Sequence, residues 1–404
     1  MTIGMLLNAP YPSDLRVKKE TDALLRAGFT IHLLCLRRAD EKYEESFEGI
    51  QITRIDAGTN DIHLAFWDVI LSMTFVHPRF KKAIPNWVKN NNIQILHVHD
   101  LPLAGTALKL RDTLKIPVVC DFHENYPDAL RTWFAWKKNP LSRLKNALFM
   151  NADRWTKFER QATLQADHVI AVVDEMKQRL IKQYNADAQR ITIVSNTEEM
   201  SFVKQQEDPT IYQAYAGKFI MVYSGNIGPH RGVDTGISAM AYLKDIPEII
   251  FVIIGSGSKA VMAHLKSLTE KLNVQHSVHF LGRQPFQKFY SFMKFADVNT
   301  IPHKSNGHTD NTIPHKLFQT MMVGKPVLVS SSAPLNRVVS AAKSGVVFKA
   351  DDAEDMAAKI KELYRDPKLR ETLGNNGVNA TLKGTLNWEH EQISLISLYK
   401  KLLA

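Results

Sequence analysis

Short apolar runs of strand length alternate along this chain with amphipathic stretches of helical period. That alternation restricts the fold more than any other feature. Residues 3–7, 31–36, 95–98, 118–122, 168–173 and 191–194 read as buried strands, with helices at 17–27, 103–114, 141–165 and 175–184 between them. Continuous rather than alternating apolar strands, each followed by a helix, are the mark of a parallel sheet covered on both faces. Gly28 stands where a helix C-terminus needs a left-handed residue. A polar, weakly periodic stretch at 198–217, containing Pro209, reads as a linker. A second series follows, with strands at 219–223, 249–254, 278–281, 298–301 and 326–329, and helices at 233–242, 261–272, 286–295, 314–323, 352–364 and 388–403. The expected fold is α/β: two tandem Rossmann-like, doubly wound domains facing a cleft. The boundaries are 1–200, 201–385, and a C-terminal helix at 386–404 that packs back on the first domain. In such sheets ligands bind beyond the carboxyl ends of the strands.

A length of 404 residues favours two or three domains over one. Cys35 and Cys120 both fall in apolar strands, which reads as two reduced core thiols and a cytoplasmic protein. The first residues lack a basic segment and a long apolar core, so no signal peptide is expected, and no run reaches 18 apolar residues. The net charge of +10 admits nucleic acid, an anionic membrane or phosphorylated ligands. No zinc-finger spacing, RNP-type strand or run of five basic residues supports nucleic acid. Aromatic and basic residues interleave at 133–157 (Trp133, Phe134, Trp136, Lys137, Lys138, Arg143, Lys145, Phe149, Arg154, Trp155, Lys157) and at 66–89. They suit either a membrane interface with a lipid-linked acceptor or a core with lysines reaching out to water.

Chemistry-bearing residues concentrate at strand ends. In NTIPHKLFQTMMVGKPV, Asn311 to Val327, Thr312 is placed to cap a helix starting at Pro314, with Ile313 between them. Lys316 then falls in the first turn, where a cation is unfavourable unless an anion is near; a diphosphate would supply one. SGNIGPHRG at 224–232 offers Gly225, Asn226 and Gly228 for close backbone approach, with Arg231 at a helix start for phosphate. Gly255 and Gly257 form a GxG without the third glycine of a dinucleotide fingerprint, and Arg283 follows the next strand. In the first half, His97, His99 and Asp100 close one strand and His123 and Glu124 the next, suited to sugar hydroxyls or proton transfer. Asp14 and Arg16 follow the first strand, either as a cap and salt bridge or as acceptor-side groups. Three histidines and a carboxylate lack any HExxH or CxxC spacing, so no metal or other cofactor is expected.

With DLRVKKETDALLRAGF, HVHD, DFHENYP, YSGN…RG, IIGSG and PHKLFQTMMVGKPV in place, the chain resembles glycosyltransferase family 4, retaining enzymes of GT-B fold. The likeness covers nearly the whole sequence. It implies a nucleotide-sugar donor on the C-terminal domain, an acceptor on the N-terminal one, and no metal. The absence of any DxD from the sequence agrees. It also implies that Arg231 contacts the donor diphosphate and that His123 lies near the donor sugar. The family's two glutamates fall on Asn311 and Gln319, both amides here; Gln319 keeps a carbonyl acceptor for ribose hydroxyls. The early arginine of the YSGN loop is absent, with Asn226 nearby.

The expectation is retaining transfer from a UDP- or GDP-sugar to a glycan or lipid-linked hydroxyl, in bacterial surface polysaccharide synthesis, by a protein at the inner face of the membrane. His123, Arg231 and Lys316 would serve catalysis. Two alternatives stay open: a GT-B sugar-nucleotide epimerase, which needs paired carboxylates near the sugar, and a non-catalytic sugar-nucleotide-binding module.

Overall fold

The computed structural model describes residues 1–12, 14–38, 40–56, 61–135 and 149–403. The chain divides into two compact units, Met1–Ser195 with Gln392–Ala404, and Asn196–Glu391.

Unit 1 is built on an eight-stranded sheet ordered β3-β4-β2-β1-β5-β6-β7-β8. Its strands are β1 Thr2–Leu7, β2 Thr30–Leu36, β3 Glu44–Phe47, β4 Ile50–Ile55, β5 Ile95–His99, β6 Val118–Phe122, β7 His168–Ala171 and β8 Ile191–Ile193. All pairs are parallel except the β3–β4 hairpin, whose Glu48 and Gly49 both take positive φ. Two positive-φ residues give a connection whose twist matches the strands it joins. The helices are α1 Leu15–Arg26, α2 Asp61–Thr74, α3 Pro78–Asn90, α4 Leu101–Leu114, α5 Tyr126–Ala135, α6 Ala152–Gln165 and α7 Asp174–Tyr184. Strands β1, β5 and β6 are buried along nearly their whole length, as parallel strands covered on both faces must be.

Unit 2 carries a six-stranded parallel sheet ordered β11-β10-β9-β12-β13-β14. Its strands are β9 Phe219–Ser224, β10 Ile249–Ile254, β11 Val278–Gly282, β12 Val298–Ile301, β13 Val327–Ser330 and β14 Gly345–Phe348. The helices are α8 Val233–Met240, α9 Lys259–Lys271, α10 Phe289–Phe295, α11 His315–Met322, α12 Ala333–Ala342, α13 Ala353–Arg365 and α14 Pro367–Thr381. The final helix, α15 Trp388–Leu402, begins in unit 2 and from Gln392 onward belongs to unit 1.

Several expectations shift. The stretch at 198–217 is no loose linker: Phe202 and Tyr212 are buried and pack against Tyr290 and Phe292 inside unit 2. The unit boundary falls at Ser195 instead. The interleaved aromatics also sort themselves. Phe80, Trp87 and Trp155 are core, with Trp155 donating its indole N–H to Ser72 at 3.1 Å, whereas Phe66, Met73 and Trp133 are exposed. Trp136, Lys137, Lys138, Arg143 and Lys145 lie outside the described residues. Among the described residues no helix is long and apolar enough to cross a membrane.

Backbone packing fixes the strand-end loops of unit 2. Gly255 has φ +138, and a Cβ there would lie 1.8 Å from the Gly225 carbonyl oxygen; one at Gly257 would lie 2.2 Å from that of Ile227. The glycines at 225, 255 and 257 thus let three loops interlock. The Gly225 N–H donates to Ile254 O at 2.9 Å and the Ile227 N–H to Ser256 O at 3.0 Å. Gly255→Ala is expected to destabilise by about 2–5 kcal/mol, combining a forbidden φ with overpacking. Urea unfolding followed by circular dichroism measures it, and a change below about 1 kcal/mol, near the scatter of a neutral substitution, contradicts the interlock.

Candidate active site

Each sheet contains one place where neighbouring loops must diverge. In unit 1 the chain runs β1 to β2 and then returns to add β5 on the other side of β1. In unit 2 it runs β9 to β10 to β11 and returns to add β12 beside β9. Such switch points leave a crevice at the strands' carboxyl ends, and the chemistry-bearing residues of both units gather there.

At the unit 1 switch point, Asp14 caps α1, accepting from the N–H groups of Arg16 at 2.9 Å and Val17 at 3.2 Å. Arg16, in the first turn, is buried. Its guanidinium holds Asp121 through two bonds of 3.2 and 2.8 Å, the Val194 carbonyl at 2.9 Å, and Glu20 at 2.9 Å. The proposed acceptor-side role of Arg16 must therefore be revised: its donors are turned inward. His97 and His99 are also buried. His97 Nε2 lies 3.2 Å from His99 Nδ1, and its Nδ1 is hydrogen-bonded to the Tyr399 hydroxyl of α15. His99 therefore sits beneath the crevice rather than facing an acceptor.

His123 is the part of this network that reaches the surface, with its side chain 13% exposed. Its Nε2 donates to Asp121 at 2.8 Å, its Nδ1 lies 3.3 Å from Asp100, and its N–H donates to Asp100 at 3.2 Å. Burial disfavours the imidazolium, but Asp100 and Asp121 outweigh it and hold the pKa well above the ordinary histidine value. His123 is thus a cation at neutral pH, suited to donating to an anion or a sugar oxygen and unsuited to acting as a base. Asp100 adopts φ +62, which turns its carboxylate back over His123; Glu124 is half-buried beside it.

Beneath His123, burial pushes the Glu20 carboxyl up to about 8, against the pull of Arg16. Burial also lowers His97, and burial with His97 lowers His99 to about 3. Atoms of Glu20, His97, His99 and Asp121 that can ligate metal all lie within 4.8 Å of one another. Arg16 lies 2.9 Å from Glu20 and 2.8 Å from Asp121, and His97 and His99 are bonded to each other at 3.2 Å.

At the unit 2 switch point, Arg231 closes a single turn of 3-10 helix, Pro229–Arg231, after β9. This differs from the expected start of a long helix: Gly232, at φ +65, separates it from α8, and a Cβ there would lie 1.6 Å from the Pro302 carbonyl oxygen. The Arg231 guanidinium donates to His303 Nε2 at 3.1 Å. Burial, then Arg231, hold His303 well below the ordinary histidine pKa. A neutral imidazole thereby orients the arginine without cancelling its charge. Lys316, on α11, donates to the Ser224 carbonyl at 3.3 Å and lies 3.7 Å from the Tyr223 ring centroid. Burial and then Arg231 lower its pKa well below the ordinary value. Among the described residues neither Arg231 nor Lys316 has an acidic partner.

Thr312 lies two residues before the cap position of α11 rather than at it. It ends the preceding turn in extended conformation, φ −148, and the cap position falls on Pro314. Asn311 is turned into its own loop, donating to Gly307 O at 2.8 Å, and buried Ile313 offers its carbonyl to Asn196 at 3.2 Å. Asn226 is exposed, its carbonyl accepting from Tyr223 at 2.6 Å. Gly228 precedes the turn of Arg231, and Arg283 stands exposed after the edge strand β11, apart from Arg231 and Lys316 in strand order. Gln319 is buried and donates to the Glu198 carboxylate at 2.7 Å. Sequence reasoning missed Glu198 because it lay in the supposed linker. It missed His303 although IPH ends β12 just as the Arg231 loop ends β9.

Folding stability provides a check on the unit 1 network. A carboxyl raised from 4.5 to about 8 stabilises the fold fully below pH 4.5, and that contribution is lost as pH rises through about 8. Glu20→Gln keeps the shape and removes the titration. The stability of the variant relative to wild type is expected to rise between pH 5 and pH 8, with a slope of up to about 1.4 kcal/mol per unit. Denaturant melts at both pH values measure it; a pH-independent difference would remove Glu20 from the network.

Comparisons with known proteins agree with this architecture. The family described as Glycosyltransferase Family 4 matches residues 16–197, and that described as Glycosyl transferases group 1 matches residues 204–380. An uncharacterized glycosyltransferase of Methanocaldococcus jannaschii is 24% identical over 318 residues, 78% of either chain. Sucrose-phosphate synthase from Thermosynechococcus elongatus superposes with a TM-score of 0.79 at 16% identity, covering 100% of this chain and 99% of that one. Anabaena HepE in complex with UDP-glucose superposes at 0.73 with 12% identity, covering 99% and 100%. The two family matches together span most of the sequence, and the chain belongs to the family 4 glycosyltransferases, with the two Rossmann-like units of the GT-B fold.

Proposed function

We propose that the chain moves a hexose from a nucleotide-diphosphate sugar, with UDP as the base-bearing half, to a hydroxyl of a glycan or lipid-linked acceptor, with retention at the anomeric carbon. The observation that carries this is the pair Arg231 and Lys316 at the β9/β12 switch point, two cations with no acid to neutralise them among the described residues. Buried or partly buried charge without a partner is costly, and a diphosphate would supply the missing anion. Anabaena HepE, solved with UDP-glucose, supports UDP over GDP as the first choice.

In this reading the bond from the anomeric carbon to the diphosphate breaks while the acceptor oxygen attacks the same face. The acceptor proton passes to the departing diphosphate. Charge grows on that diphosphate, where Arg231 and Lys316 stabilise it without needing a metal. His123, held cationic by Asp100 and Asp121, donates to a sugar oxygen rather than accepting a proton. The protein would work in the cytoplasm, and its product would enter a bacterial surface polysaccharide.

Lys316 makes the donor reading testable. Burial and Arg231 depress its pKa whereas a bound diphosphate would raise it, so UDP binding should take up protons over the pH range in which the lysine titrates. Calorimetry in buffers of different ionisation enthalpy reads that uptake directly. It should vanish in Lys316→Met, while Arg231→Ala should weaken UDP roughly tenfold or more, the loss of a charged hydrogen bond. Unchanged UDP affinity in both variants would overturn the donor site.

Exposed Phe66 and Met73, seven residues apart on one face of α2, together with exposed Lys81, Lys82 and Lys157, support contact with an anionic membrane carrying the acceptor. Phe66→Ser with Met73→Ser is expected to lower co-sedimentation with phosphatidylglycerol vesicles several-fold and leave UDP binding intact. Equal sedimentation of variant and wild type would separate the acceptor from the membrane.

A further inference from the structure

We infer that Glu198 is a positioning residue for the nucleoside: it orients the Gln319 amide so that the carbonyl oxygen, not the nitrogen, is presented to the ribose hydroxyls. The inference rests on the donor-site reading above.

Lys316 and Gln319 are three residues apart on α11 and so share a face, separated by a rise of about 4.5 Å. A nucleoside diphosphate held at Lys316 carries its ribose one ester bond beyond the phosphate. That places the sugar's cis-diol within reach of the next side chain along this face, Gln319. An amide can turn either end outward. Here the choice is made by Glu198, whose Oε2 lies 2.7 Å from Gln319 Nε2. A carboxylate only accepts, so the nitrogen must face it and the oxygen must point elsewhere. Both residues are buried, with Gln319 7% and Glu198 9% exposed, which keeps water from competing for the bond.

Glu198 is itself held from several sides. Its Oε1 accepts the Glu199 N–H at 2.9 Å, and its carbonyl accepts the Trp388 N–H at 2.9 Å. The Glu389 carboxylate accepts the Met200 N–H at 3.1 Å. On the α11 side, Asn196 bonds Ile313 O at 3.2 Å, and His315 Nδ1 lies 3.4 Å from Thr197 O. The 196–200 segment is thereby strapped along the first turns of α11, and the carboxylate has no freedom to swing away from Gln319. The side chain at 198 acts on the ligand only through the amide.

The pair invites an exchange of charge. Binding of UDP and of 2′-deoxy-UDP to the full chain would be measured by calorimetry for wild type, Glu198→Gln, Gln319→Glu, and the double exchange. Glu198→Gln should weaken UDP about tenfold and remove most of the preference for UDP over its 2′-deoxy analogue, as expected for one misdirected hydrogen bond. Gln319→Glu alone should be at least as weak, because it sets two carboxylates against each other. The double exchange restores one donor facing one acceptor and should recover UDP binding to within about threefold of wild type. A double exchange no better than the weaker single variant overturns the inference, as does Glu198→Gln with its 2′-hydroxyl preference intact. Arg231→Ala separates the two levels. If it loses UDP while Glu198→Gln does not, only the role of Glu198 fails; if Arg231→Ala binds UDP normally, the donor site itself is misplaced.

Discussion

A parallel sheet that winds first one way and then the other from an inner strand forces two adjacent loops apart, and the chemistry of both units depends on that constraint. The divergence lies between β1 and β5 in unit 1, and between β9 and β12 in unit 2. Backbone cannot fill either place, because the crossover helices pull the loops to opposite faces of the sheet. Side chains must fill it, or a ligand must. Unit 1 fills its gap with Arg16, His97, His99 and Asp121. Unit 2 lines its gap with Arg231, Lys316 and His303.

The two fillings differ in how charge is matched. In unit 1 Arg16 meets Asp121 and Glu20, and His123 meets Asp100 and Asp121. Positive and negative groups are interleaved, and together they set the state of the one group of the network that reaches the surface, His123. Removing one partner of such a buried pair typically costs about 3–5 kcal/mol, which makes Arg16 and Asp121 structural supports for that histidine. In unit 2 the neighbour of Arg231 is a histidine kept neutral by burial, and the neighbours of Lys316 are a carbonyl and an aromatic ring. These groups orient cations without discharging them. The electrostatic free energy left over is available to an incoming anion.

The fold was largely legible in the sequence because buried parallel strands are continuous apolar runs. The strands read at 3–7, 95–98, 219–223 and 249–254 lie within a residue or so of those observed. The β3–β4 hairpin was not, since EESF is polar and its exposed edge position gives no apolar signal. Lys316 and Arg231 stood out because each broke a local rule, a cation where a helix or turn presents its N–H groups. The inward turn of Arg16 was invisible: its partner Asp121 lies 105 residues away, and no local pattern reports a contact of that separation. Thr312 misled for the opposite reason. Its identity suited a cap, but the turn at Thr309–Asn311 holds it in extended backbone two residues before the cap position. Glu198 was hidden by the polar composition of its surroundings, which looked like a linker until Phe202 and Tyr212 proved to be core.

Resemblance to family 4 led to the expectation of a glutamate where Gln319 stands, and the local electrostatics suggest how an amide can serve there. With glutamine at 319, the acceptor is neutral, and the negative charge sits one side chain further back, on Glu198. The hydrogen bond from the amide to that carboxylate polarises the amide, drawing electron density toward the carbonyl oxygen and making it a stronger acceptor. In this arrangement the acceptor at 319 is strengthened by a charge that itself sits one side chain further from Lys316.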